Sequence, residues 1–185
     1  MASVVDICNS ALNQIGASNI IALTEDSKAA RLCNQRYDFV RDATFRAHPW
    51  NSLTTRVALA PDTATPVFEF TQQFTLPTDP FCLRVLGLSD ANILYRVEGR
   101  KLLCNESTIQ MIYIARVTDV NEYDTLLIET LAAALAADLA YPLVGSSALG
   151  ANMYSLYQTK LTEARFVDAT EGAAAKFEAS DLIES

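Results

Sequence analysis

Apolar residues recur every three or four positions at both ends of this chain, and at every second position across much of its middle. Over residues 3–15, Val4, Cys8, Ala11, Leu12 and Ile15 form one stripe, with Asp6, Asn9, Asn13 and Gln14 turned away. That period predicts a half-buried helix, and Gly16 stands where a left-handed cap would end it. Residues 27–50 predict a longer helix, with Ala29, Cys33, Tyr37, Val40, Thr44 and Ala47 on one semi-apolar face. Ser27 offers its hydroxyl as the N-cap, and Pro49 pushes His48 out of the α region, so the helix ends there. Leu32, Phe39 and Phe45 lie off the stripe, which predicts contacts on more than one side, from the same domain or a neighbouring subunit. A short connector holding Ile20, Ile21 and Leu23 lets the two helices pack side by side.

From residue 51 to 117, prolines, threonines and alternating residues replace the helical period. Val67, Phe68, Phe70 and Phe74 predict one strand, stopped by Pro77 and Pro80, and residues 81–88 a second. Residues 93–98 and 101–104 read as a hairpin turning at Gly99. Residues 109–116 are apolar on both faces, as expected of a central or doubly covered strand. The expectation is one small, mostly antiparallel sheet.

Helix returns at Asp124 or Thr125. The run LLIETLAAALAADLAY, residues 126–141, is apolar nearly all round, with Glu129 and Asp138 its only charges. Such a helix belongs in a core or between subunits. Pro142 should end or kink it, and Gly145 with Ser146 and Ser147 supplies a turn and a new cap. A last helix over residues 148–170 carries the stripe Leu149, Met153, Leu156, Tyr157, Leu161 and Ala164. The predicted class is α+β, mainly α. Residues 1–50 and 120–172 form a four-helix bundle, residues 51–119 an inserted antiparallel β subdomain, and residues 173–185 a flexible tail.

The 185 residues suffice for one domain that folds without staples. A net charge of −8 excludes DNA binding through a general electrostatic field. Arg31, Arg36, Arg41 and Arg46 come every fifth residue, so they step around their helix instead of lining it. With Asp38 and Asp42 among them they predict a solvated or salt-bridged surface. Cys8, Cys33, Cys82 and Cys104 show no close pair of the kind a zinc site uses, and are expected as buried thiols. No signal peptide precedes Val4, and no apolar run is long and dry enough to cross a membrane, so folding in a reducing cytosol is expected.

Reactive groups are sparse. The single histidine, His48, precedes Pro49 and Trp50, a setting of packing or capping. No GxSxG, GxxxxGK[ST] or GxGxxG pattern occurs. Glu25 and Asp26, and then Asp119, Glu122 and Asp124, sit at helix entries, where negative charge suits the dipole. No catalytic residue, cofactor or metal site is assigned. Apolar surface is the unexplained feature, and it fits either a well-filled core or lateral assembly of identical subunits. Leu32, Phe39, Phe45, Trp50, Leu131 and Leu135 are the candidate subunit-interface residues.

Three ordered matches carry a resemblance. The first is ICNSALNQIGASNIIALTEDSKAARLCNQRYDFVRDATFRAHPWN at residues 7–51. The second is FCLRVLGL at 81–88 with YRVEGRKLLCNESTIQMIYIARVTD at 95–119. The third is the alanine- and leucine-rich helix ending in Ala140-Tyr141-Pro142-Leu143, followed by Tyr157 and Ala164-Arg165. Together they cover most of the chain, and the set resembles the tail tubular protein A, or head-to-tail adaptor, family of short-tailed bacteriophages and prophages. The match is weakest over 58–80 and beyond Gly172.

The resemblance implies a structural protein of the virion neck, made in the bacterial host cytoplasm. It would form a ring, typically of about twelve copies, between the portal protein and the tail nozzle protein. Double-stranded DNA would pass through the lumen without specific binding, and no membrane would be involved. An acidic lumen would repel phosphate, although the same charge serves ordinary solubility. The resemblance also implies a tail that docks on the portal, with Phe177, Leu182 and Ile183 as candidate anchors. Two other readings are a small cytosolic protein-binding or regulatory module, as a monomer or a dimer, and a hydrolase built from scattered carboxylates.

Overall fold

The computed structural model describes residues 2–171 and shows an α+β chain with four helices and two small antiparallel sheets. Helix α1 spans Val4–Gln14. Its start is fixed by a reciprocal cap, in which Ser3 Oγ accepts from the Asp6 amide and the Asp6 carboxylate accepts from the Ser3 amide. The Asn9 side chain then bonds both the amide and the carbonyl of Ile20, at 2.8 and 2.9 Å, and ties the connector to the helix. Helix α2, Lys28–Ala47, is capped by Ser27 and stops at His48, which is extended ahead of Pro49.

Helix α3, Thr125–Val144, is capped by the Asp124 carboxylate at the Leu126 and Leu127 amides. It runs through Pro142 and ends shortly after, where Gly145 takes φ +74° as the left-handed cap. Pro142 was expected to end or kink the helix; the helix continues through it for two further residues, so the proline sits in the last turn, where little helix follows to be disrupted. Helix α4, Ser147–Thr170, is capped by Ser146. By length and composition alone α3 could cross a membrane, contrary to the sequence expectation. Here α1, α2 and α4 all pack on it, and Leu127, Leu131, Ala132, Leu135, Ala136, Leu139 and Ala140 are buried. Helices α1 and α2 touch each other little, so the expected hairpin is held together mainly through α3.

The middle of the chain makes two sheets where one was expected. Strands β1 (Thr54–Leu59), β6 (Ile109–Ala115) and β3 (Cys82–Leu88) form the first, with β6 central. Strands β2 (Gln72–Thr75), β5 (Lys101–Cys104) and β4 (Arg96–Glu98) form the second. Residues 67–70 are not strand. Pro66 precedes them, and at Glu69 the backbone takes φ +72°, closing a tight turn in which the Phe70 amide bonds the Phe68 carbonyl at 2.9 Å. Phe70 turns inward while Val67 and Phe68 point into solvent.

The described residues form two apolar cores. The larger lies among the helices and also takes in Leu53, Leu83 and Ile114 from the β region. The smaller gathers Phe74, Leu76, Leu88, Leu102, Cys104, Ile109, Met111 and Tyr113 from both sheets. Strand β6 feeds both cores, which accounts for its two apolar faces.

Candidate functional site

His48 is the first place to look for chemistry, and the structure uses it as a staple. Its Nε2 lies 3.0 Å from Asp168 Oδ2 on α4, and its ring stands edge-on to Trp50 at 4.9 Å. The other Asp168 oxygen accepts from the Asn51 amide at 3.0 Å, and the Asp168 carbonyl accepts from the Asn51 side chain at 2.6 Å. A histidine–carboxylate pair can activate a nucleophile, but here both partners are largely buried and spent on joining the end of α4 to residues 48–51.

The helix-entry carboxylates are used locally. Asp124 caps α3, Asp119 accepts from the Asn121 amide at 2.9 Å, and Glu25 accepts from the Ile21 amide at 2.9 Å. The hydrogen bonds from Asn121 hold the exposed Asp119 carboxyl below the usual range. Among the described residues no group of three or more His, Cys, Asp and Glu could hold a metal ion. The four cysteines are free and buried. The neighbouring Cys33 thiol and burial push Cys8 far up, and burial pushes Cys82 and Cys104 up, so these three are poor nucleophiles at neutral pH.

The arginines of α2 point to different partners. Arg31 meets Asp26, Arg36 forks onto Asp138 of α3 at 2.6 and 3.1 Å, and Arg41 holds both Asp38 and Asp42. Arg46 donates to the Leu83 carbonyl. They do not form a phosphate-binding stripe.

Exposed apolar surface is what remains. Between α2 and α4, over α3, lies a groove of about 410 Å³ lined by Phe39, Val40, Ala134, Ala137, Tyr154 and Tyr157, with the Arg36–Asp138 pair beside them. Gly150 and the alanines keep its floor low. Phe39 is 68% exposed and Tyr154 58%, and Phe39 stands opposite the buried face of α2. The second feature is the turn ahead of β2, where Val67 is 97% and Phe68 77% exposed. Thr71, whose amide bonds Asn105 Oδ1 at 3.0 Å, and the Glu69–Arg96 ion pair at 3.4 Å hold this turn near β4 and β5.

The residues singled out as a subunit interface divide sharply. Phe45, Trp50, Leu131 and Leu135 are buried in the chain's own core. Phe45 meets Tyr123 edge-to-face at 5.3 Å, and Trp50 donates to the Thr44 carbonyl at 3.1 Å. They are therefore not surface open to a second copy. Leu32 is half-buried against the same core, and Phe39 alone of the six stands exposed, in the groove. Phe177, Leu182 and Ile183 lie outside the described residues. Tyr154 and the Val67–Phe68 pair were missed. The first is masked by its apolar neighbour Tyr157, and the others look like strand by propensity. No protein-family model and no curated protein matches the chain.

Proposed function

We propose that this protein is a non-enzymatic, ring-forming head-to-tail adaptor of a bacteriophage or prophage virion, joining the portal protein to the tail nozzle around the DNA exit channel. The observation that carries the proposal is where exposed apolar surface remains after both cores are filled. One part lies on the helices, as the Phe39–Tyr154 groove, and another on the turn at Val67 and Phe68. Two different apolar patches on one chain suit a heterologous contact, in which each copy offers one patch to the next; such contacts build a ring when the rotation between copies closes and an open filament when it does not. The ordered resemblance over residues 7–51, 81–88, 95–119 and the alanine- and leucine-rich helix, with Tyr157 and Ala164-Arg165 after it, supports the same assignment. The use of His48, Asp168 and the helix-entry carboxylates in local structure favours a scaffold over a catalyst.

On this proposal the four helices act as one bundle, and residues 51–119 form an insertion docked on it through Leu53, Leu83 and Ile114. The net charge of −8 lets DNA pass without sticking. The test is native mass spectrometry of the protein alone and mixed with portal rings from the same genome. A defined multi-copy addition to the portal is expected. A stable monomer or dimer that ignores the portal at micromolar concentration would overturn the adaptor assignment in favour of a small protein-binding module.

A further inference from the structure

Where the end of α2 meets the two sheets, a cleft of about 510 Å³ is lined by three arginines, Arg46, Arg84 and Arg100, and by Leu76, Phe81, Leu83, Val85 and Tyr95 among others. No carboxylate lines it, and none of the three arginines forms an ion pair with a described residue. Their contacts are to main-chain carbonyls. Arg84 reaches the Arg46 carbonyl at 3.0 Å, Arg46 reaches that of Leu83, and Arg100 reaches those of Cys82 and Pro77, each at 2.6 Å. Arg100 also lies over the Phe81 ring at 3.9 Å. Neighbouring Arg116 differs, because Asp42 neutralises it at 2.6 Å. In a chain of net charge −8, three unneutralised guanidiniums in one partly apolar cleft mark a site for an acidic, partly apolar segment.

The chain carries such a segment. Residues 177–184 read FEASDLIE, with Glu178, Asp181 and Glu184 interleaved with Phe177, Leu182 and Ile183. The end of α4 delivers it to the right place. Arg165 donates to the Ala47 carbonyl at 2.5 Å and Asp168 meets His48 and Asn51, so α4 finishes beside the C-terminus of α2, whose Arg46 forms one wall of the cleft. Asp181 follows Glu171 by ten positions, a stretch that reaches up to ~35 Å when extended. Joined to its site by so short a connection, the segment has an effective concentration on the order of millimolar. We propose that residues 177–184 dock into the Arg46–Arg84–Arg100 cleft of their own chain, with the carboxylates on the guanidiniums and the apolar residues on the cleft wall. A tail held there must be displaced before it engages any other partner, so the cleft sets a threshold for that engagement.

The test uses the full chain with Ser180→Cys bearing a nitroxide spin label, since the four native cysteines are buried. Paramagnetic broadening is expected at the amides of Arg84, Val85 and Arg100. It should fade at ~0.5 M salt, where the screening length drops to a few ångströms. Asp181→Arg with Glu184→Arg should lower the bound-to-free ratio by about tenfold or more. Adding Arg84→Glu to that pair should restore part of the broadening. Absence of broadening at the cleft, or broadening indifferent to tail reversal, would overturn the proposal. Broadening that appears only on isotope-labelled copies mixed with spin-labelled ones would place the tail of a second copy there and overturn docking within one chain.

Discussion

Tyr37 shows how a single side chain exposes the balance of forces in the helical core. Its ring fills space between α2 and its neighbours, and its buried hydroxyl faces that of Tyr123 without reaching good hydrogen-bond geometry. An unsatisfied buried hydroxyl costs about 1–3 kcal/mol. Tyr37→Phe should therefore leave stability at neutral pH unchanged or raise it by about 1 kcal/mol, as read by urea denaturation. A comparable loss would mean the hydroxyl is paired after all. Burial also pushes the Tyr37 pKa up, and it pushes Tyr123 up to about 12. The unfolded chain ionises its tyrosines near pH 10, before the folded one does. The stability these residues contribute is complete below about pH 10 and falls as the pH rises toward 12. Tyrosinate absorbance should consequently rise together with the loss of helical circular dichroism. Across that window the wild type should lose stability more steeply than the Tyr37→Phe variant, which has one fewer buried phenol to ionise. At the joint between α4 and α2, Asp168→Ala strands the Asn51 amide and His48, and should cost about 1–3 kcal/mol. Wild-type stability in that variant would reduce the joint to a surface contact.

At the scale of elements, the helices were legible because their signals are local. Ser27, Asp124 and Ser146 cap where the sequence offers caps, and α1 and α2 bury the stripes that repeat at the helical period, whereas α3 runs past Pro142 to Gly145. Strand β1 was missed because Thr54, Thr55 and Arg56 give no clear alternation; its place comes from pairing with β6, a partner far along the chain. The run from Val67 to Phe70 looked like strand because aromatic and β-branched residues favour one. The turn at Glu69 overrides that preference by sending Phe70 inward and its two apolar predecessors outward. Helix α3 shows why apolar content alone cannot decide between core and interface. Its small residues lie against three helices, and Ala132 and Ala136 have no free surface. Ala136→Leu should overpack that contact and cost about 1–3 kcal/mol, read as a lower denaturation midpoint with unchanged slope. Tolerance of the leucine would mean that α3 packs more loosely than its burial indicates.

For the whole molecule, the same ambiguity governs what could be read of the site. Leu32, Phe39, Phe45, Trp50, Leu131 and Leu135 are alike in sequence, since a core and a subunit contact both select large apolar side chains. Only the packing separates them: Phe45, Trp50, Leu131 and Leu135 close the helical core, whereas Phe39 is left on the rim of a groove with Tyr154. The arginine cleft was illegible for a related reason, because Arg46, Arg84 and Arg100 are scattered along the chain and meet only when the sheets dock on α2. This separation makes a paired prediction. Phe45→Ala removes a fully buried ring and should destabilise the fold by about 3–5 kcal/mol. Phe39→Asp changes an exposed ring and should alter stability by no more than about 0.5 kcal/mol. In assembly the order reverses, provided both variants are compared at a temperature where each is folded. Phe39→Asp sets an unpaired carboxylate in the groove that a neighbouring copy would have to bury, so it should shift the portal-bound or self-assembled protein toward monomer in sedimentation velocity. Phe45→Ala, once folded, should assemble as the wild type does. If Phe39→Asp assembles normally as well, the α2–α4 groove is not the subunit contact, and the Val67–Phe68 turn becomes the surface to alter next.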